Sequence, residues 1–254
     1  MAHILHSDFS AGSHQLQEAF SLSNLIGEMA AVMGCEVASS GLRFGEDHPY
    51  QAPVVGKNTQ FSFNPGVLQQ QWRQDKASNS EVKPAILGPL TFLALAENED
   101  GSDPLSLLDQ LIPLYSELLE LFAAEGAEWV QIDEPILVTE LSLAWKIAFE
   151  QSYHTLKANR PNILLATYFG ALKDNLQLAC NLPVAGLHLD VAADRSELNR
   201  VIDWLPIHKV LSLAVIVGAE SSETDTVRGA ERSGWLQSLA EKLGERLWLA
   251  SACR

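Results

Sequence analysis

The chain has 254 residues, of which 47% are hydrophobic, and a formal net charge of −15. That length and apolar content suffice for one sizeable core, and a parallel β/α barrel occupies roughly 250 residues as a single domain. The negative charge is spread along the sequence and Lys and Arg form no patch, which argues against nucleic acid or an anionic membrane as partner. The three cysteines, Cys35, Cys180 and Cys253, are too few and too far apart for a disulfide framework, so a reducing, cytoplasmic setting is expected. Residues 1–10 lack the basic-then-apolar pattern of a signal peptide, and no apolar run approaches the ~20 residues needed to span a bilayer.

In chain order, residues 3–9 and 42–45 read as weak strands, with a helix over 14–33 between them. The polar stretches 74–81 and 97–102 read as loops. From Val82 onward the pattern is clearer. Apolar runs at 84–88, Trp129–Asp133, 162–168, Gly186–Asp190, 210–217 and Leu247–Ser251 show little alternation, as strands buried on both faces should. Between the first two, Asp103 is placed to cap a helix with Pro104 at its first position. Leu108, Leu111, Ile112, Tyr115, Leu118, Leu119 and Phe122 then recur at helical spacing until Gly126 stops it. Alternating strands and helices predict an α/β protein with a parallel sheet. With both weak strands counted there are eight, so the expectation is one (β/α)8 TIM-type barrel over residues 1–254 with minimal N-terminal elaboration. An open doubly wound sheet is the rival. No Gly-rich phosphate loop follows any strand, which removes the commonest reason to prefer it.

In such a barrel the site lies at the carboxyl ends of the strands. That rule selects Asp8, Asp47, His48, Asp133, Glu134, Tyr168, His188, Asp190, Ser251 and Cys253. Asp133 and Glu134 leave a strand in opposite directions just before Pro135 forces a turn. One of them can act as base, ligand or hydrogen-bond acceptor; equally, they can cap the next loop or pair with a basic neighbour. His188 and Asp190 share a strand face, and Cys253 follows the last strand, so the three can meet at the mouth as zinc ligands. A buried His bonded to a carboxylate is the commoner arrangement, and a Cys253–His188 nucleophile pair is a further alternative. The six tryptophans, Trp72, Trp129, Trp145, Trp204, Trp235 and Trp248, lack interleaved Arg or Lys and read as packing residues rather than a base-stacking platform.

The same residues carry a family likeness. Lys83-Pro84-Ala85-Ile86-Leu87-Gly88-Pro89-Leu90-Thr91-Phe92-Leu93, Leu105-Ser106-Leu107-Leu108-Asp109 and Glu128-Trp129-Val130-Gln131-Ile132-Asp133-Glu134-Pro135 resemble the amino-terminal domain of cobalamin-independent methionine synthase. The likeness continues through 164–170, 182–190 and 209–213, resumes at 246–253, and reaches more weakly to Asp8, His14 and Asp47-His48-Pro49-Tyr50. It implies a two-barrel enzyme that moves a methyl group from 5-methyltetrahydrofolate polyglutamate to homocysteine, with zinc in the other, carboxy-terminal barrel. By the same likeness His188 and Cys253 fall at zinc-binding positions of the sister barrel, whereas Asp190 replaces a cysteine: a vestigial metal site. Three departures stand out. The chain starts at the first strand without the family's basic extension, it ends at Arg254 without a second barrel, and Gly218-Ala219-Glu220-Ser221-Ser222-Glu223-Thr224-Asp225 stands where the family has G-R-N-x-W-R. The expectation is a non-zinc half that works with a separate zinc-bearing barrel and is not active alone. The alternatives are a non-catalytic barrel binding a pterin or small ligand, and an independent zinc enzyme.

Overall fold

A computed structural model describes residues 3–4, 22–42, 49–78, 82–158, 161–191, 195–216 and 234–251. The elements in chain order are β1 (His3–Ile4), α1 (Leu22–Val32), β2 (Val37–Leu42), β3 (Pro49–Val55), α2 (Gly66–Ser78), β4 (Ala85–Leu87), α3 (Pro89–Leu95), β5 (Glu97–Asn98) and α4 (Leu108–Ala124). They continue with β6 (Trp129–Asp133), α5 (Leu143–Leu156), β7 (Asn162–Thr167), α6 (Leu176–Asn181), β8 (Gly186–Asp190), α7 (Leu198–Trp204), β9 (Val210–Ile216), α8 (Gly234–Leu243) and β10 (Leu247–Ser251).

Seven strands form one parallel sheet in the order β1-β10-β9-β8-β7-β6-β4. All six apolar runs read from the sequence lie in it. Among the described residues β1 and β4 are its two edges, so the closed eight-stranded barrel expected from the sequence is not seen there. The sheet is nevertheless strongly curled. Trp129 on β6 and Trp248 on β10 stand four places apart in the strand order, which in a flat sheet is about 19 Å, yet their ring centroids are 4.7 Å apart. Only a sheet wrapping toward itself can bring those inward-facing rings together.

The amino-terminal region departs further from expectation. β2 and β3 pair antiparallel, and β3 pairs with β5 to make a separate three-stranded sheet, so the elaboration beside the main sheet is not minimal. The second strand is Val37–Leu42 rather than 42–45, and residues 43–48 lie outside the description. The stretch 74–81 begins inside α2, a largely polar helix that buries only Leu68 and Trp72, the latter edge-on against Phe122 of α4. The stretch 97–102 opens with β5. Of the helix expected over 14–33, only Leu22–Val32 falls among the described residues as helix.

The expected cap at residue 103 is present: the Asp103 carboxylate accepts the Leu105 N–H at 3.0 Å. The first turn is 3₁₀ (Pro104–Leu107) before α4 proper, whose predicted apolar stripe is buried apart from the half-exposed Leu108. Gly126, at φ 82°, ends it in a backbone region that favours glycine. Leu187, Leu211, Ile132 and Leu165 on the outer strand faces pack under the helices.

Candidate functional site at the strand ends

Parallel register builds the site. Asp133 pairs with Ala166, Ala166 with His188, and His188 with Ser212, so one layer crosses β6 to β9. Side chains alternate faces along a strand. Gln131 therefore shares the inner face with Asp133, and Asp190 shares it with His188.

Asp133 is buried. Its Oδ1 accepts from Gln131 Nε2 at 2.9 Å and from the Tyr168 hydroxyl at 3.5 Å, while Gln131 Nε2 also donates to that hydroxyl at 2.6 Å. Among the described residues its Oδ2 has no hydrogen-bond partner. Burial pushes the carboxyl up to about 7, against the hydrogen bond from Gln131, the charge of Lys83 and the hydrogen bond from Tyr168. At neutral pH this group exchanges a proton readily and can give or accept one.

Glu134 points the other way and does a different job. Its carboxylate accepts the N–H groups of Leu90 (3.2 Å) and Thr91 (2.7 Å) in the first turn of α3, and the Tyr153 hydroxyl of α5 (3.1 Å). Those amides have no partner within their own helix, and the positive end of the helix dipole favours the carboxylate. Burial raises Glu134 to about 7 as well. Gly88 leaves the room it occupies, because a Cβ there would stand 2.2 Å from the Glu134 carboxyl carbon. Of the two readings open for this pair, Asp133 faces the inner side of the curled sheet and Glu134 caps a helix.

His188 is buried, and its Nδ1 lies 2.8 Å from Ser212 Oγ. Its ring stands 5.6 Å from that of Tyr168, tilted by 53°. Burial, helped by the charge of Lys83, lowers it to about 3, so the ring is neutral at physiological pH. Asp190 is half-buried on the same strand face.

The structure thus brings together Asp133, Tyr168, His188 and Asp190 at neighbouring strand ends. Asp8, Asp47, His48 and Cys253 lie outside the described residues, as does the segment 218–225. Ser251 ends β10. Sequence reasoning passed over Gln131, Lys83 and Ser212. The first could have been found by its place two residues before Asp133 on the same face, the last by its register with His188.

A catalytic zinc commonly takes three protein ligands. Among the described residues no group of three His, Cys, Asp or Glu is placed to hold a metal ion. Of the three residues expected as a vestigial set, His188, with Nδ1 on Ser212, and Asp190 share a strand face, and Cys253 lies outside the described residues.

A curled parallel sheet accompanied by helices, with a polar layer at its strand ends, defines an α/β protein. The description that matches residues 37–243 is the N-terminal domain of cobalamin-independent synthase, and the chain belongs to that family. It is 41% identical over 247 residues to a 5-methyltetrahydropteroyltriglutamate–homocysteine methyltransferase from Saccharophagus degradans; the match takes in 95% of this chain and 32% of that protein. The chain therefore spans about a third of the length of this curated relative. Among solved structures it resembles a B12-independent methionine synthase from Shewanella sp. W3-18-1 in complex with selenomethionine (TM-score 0.64, 13% identity, 96% of this chain, 83% of that one). It also resembles a methyltransferase from Methanosarcina mazei (TM-score 0.60, 12% identity, 94% of this chain, 79% of that one). At such low identity these two likenesses speak for the fold.

Proposed function

We propose that this chain supplies the amino-terminal-type barrel for methyl transfer from 5-methyltetrahydrofolate polyglutamate to homocysteine, and that it needs a separate zinc-bearing barrel to complete the reaction. Membership of the synthase family over residues 37–243 carries this reading. The methyltransferase relative is about three times as long, leaving room for a second barrel, which supports it. A thiol is a methyl acceptor only as its thiolate, which a zinc site elsewhere would provide. The curl that joins Trp129 to Trp248 supports a barrel closed between β1 and β4, with Asp133, Tyr168, His188 and Asp190 lining its mouth. The free thiols Cys35 and Cys180 suit a reducing cytoplasm. Among the described residues no helix is long and apolar enough to cross a membrane.

The test is methionine formation from homocysteine and triglutamyl 5-methyltetrahydrofolate. The purified chain with zinc should give none above the protein-free control, and adding a zinc-bearing barrel in trans should give turnover that depends on both. Turnover by the chain alone, or none in the mixture, would defeat the proposal.

A further inference from the structure

β7 reaches α6 through a loop in which two non-glycine residues, Phe169 (φ 67°) and Lys173 (φ 49°), occupy the left-handed region. A bulky aromatic residue is strained there, and such strain persists only where the surroundings over-determine the backbone. Three ties do so. Tyr168 is held by Gln131 on β6. Asn175 Nδ2 donates to the carbonyls of Leu137 (2.8 Å) and Thr139 (2.7 Å) in the exit from β6. From the far side, Glu197 accepts the N–H groups of Leu172 at 2.7 Å and Lys173 at 2.8 Å.

Glu197 immediately precedes α7, in the exit from β8, so its carboxylate spans two successive strand exits. Arg200 Nη1 lies 3.6 Å from Glu197 Oε1 and steadies it. Bonds from amide N–H groups to an ionised carboxylate are stronger than those between neutral groups, and two on one carboxylate fix its geometry. The backbone they fix lies a few residues beyond Tyr168.

We infer that Glu197 is a positioning residue for the barrel mouth: by gripping Leu172 and Lys173 it holds the β7 exit in its strained form and so seats Tyr168 against Gln131 and Asp133. The inference concerns the shape of the mouth and stands whether or not the chain takes part in methyl transfer. Without the grip the loop relaxes, the β7 and β8 exits uncouple, and Tyr168 withdraws from Asp133.

Amide hydrogen exchange and carbon-13 titration of the Asp133 carboxyl, both on the full chain, test this with Glu197→Ala and Glu197→Gln. Glu197→Ala should speed exchange at 169–173 by on the order of tenfold or more while the amides of β6 and β8 keep their protection. Asp133, which also feels the charge of Lys83, should titrate above its starting value of about 7, having lost a hydrogen bond that favours its anion. Glu197→Gln, whose carbonyl still accepts an N–H, should recover part of both effects. Unchanged exchange at 169–173, equal acceleration in the core strands, or an unmoved Asp133 titration would each overturn the inference.

Discussion

Gly88→Ala should be among the most damaging single-methyl changes in this protein. Gly88 has φ −74° and ψ 154°, a conformation any residue can adopt, so backbone strain plays no part. The obstacle is space: the added Cβ would stand 2.2 Å from both Cδ and Oε1 of Glu134 and 2.5 Å from its Cγ. That carboxylate cannot swing aside freely, because Leu90, Thr91 and Tyr153 donate to it inside the core. Overpacking costs about 1–3 kcal/mol, and each hydrogen bond to a charged group that is lost or stretched adds about 1.5–3 kcal/mol. With partial relaxation the total should be about 3–5 kcal/mol. Urea unfolding followed by tryptophan fluorescence measures it. Gly27→Ala is the control: among the described residues no heavy atom lies within 4 Å of its added Cβ, and Gly27 is inside α1. It should stabilise by about 0.5–1 kcal/mol, giving the opposite sign for the same methyl group. In Glu134→Ala the Gly88→Ala penalty should largely vanish, since the clash partner is gone. A Gly88→Ala loss below about 1 kcal/mol, or the same loss in both backgrounds, would refute the steric reasoning.

Stability should also respond to pH in two opposed ways. Asp133 and Glu134 have folded-state values raised to about 7, so the stability they contribute is full below their ordinary carboxylate range and is lost as pH rises toward 7. His188 is lowered to about 3, so its contribution is full above 6.5 and falls away as pH drops toward 3. Two carboxyls outweigh one imidazole, and urea midpoints should fall from pH 5 toward pH 7 by roughly one proton's worth of slope, which Asp133→Asn should flatten. Lys209 donates to the carbonyls of Cys180 and Leu182 at the end of α6. Lys209→Met strands both acceptors in the core and should cost about 2–3 kcal/mol in the same assay. Finally, the Trp129–Trp248 contact should give an exciton couplet in circular dichroism that either Trp→Phe change abolishes; a spectrum unaltered by Trp129→Phe would argue against the curl.

What the sequence disclosed follows from which forces leave a mark on residue type. Strands buried on both faces must be apolar throughout, so β6 to β10 were legible as runs. The stripe of α4 and its Asp103 cap were legible for the same kind of reason. α2 was not, because its covering role needs only Leu68 and Trp72 and the rest is glutamine, charge and small residues. β3 was obscured by Pro49 and Pro53, which contradict strand propensity although β3 is the central strand of its three-stranded sheet. The strand-end placement of Asp133, Tyr168, His188 and Asp190 was legible from their position at the ends of apolar runs. The cap that Glu134 makes was open but unresolvable, since its partners are backbone amides, and any residue but proline supplies those. Glu197 escaped notice for the same reason.

The short pairing of β1 with β10 sets a condition on how the molecule comes to be made. His3 lies in register with Trp248 and Ile4 with Leu249, so strands from near the two ends of the sequence are neighbours. The closure entropy of that contact is among the largest the chain can incur, and nothing short of almost the whole chain can offer it. On the ribosome, β1 must therefore wait unpaired on this side until β10 has emerged, while β4 and β6 to β9 already have neighbours to assemble upon. The same adjacency suggests where these residues could be reopened: a circular permutant of residues 1–254, joined by a short linker and cut in the exposed turn around Gly101, would make the β1–β10 pair local and should fold faster than the same residues in their present order.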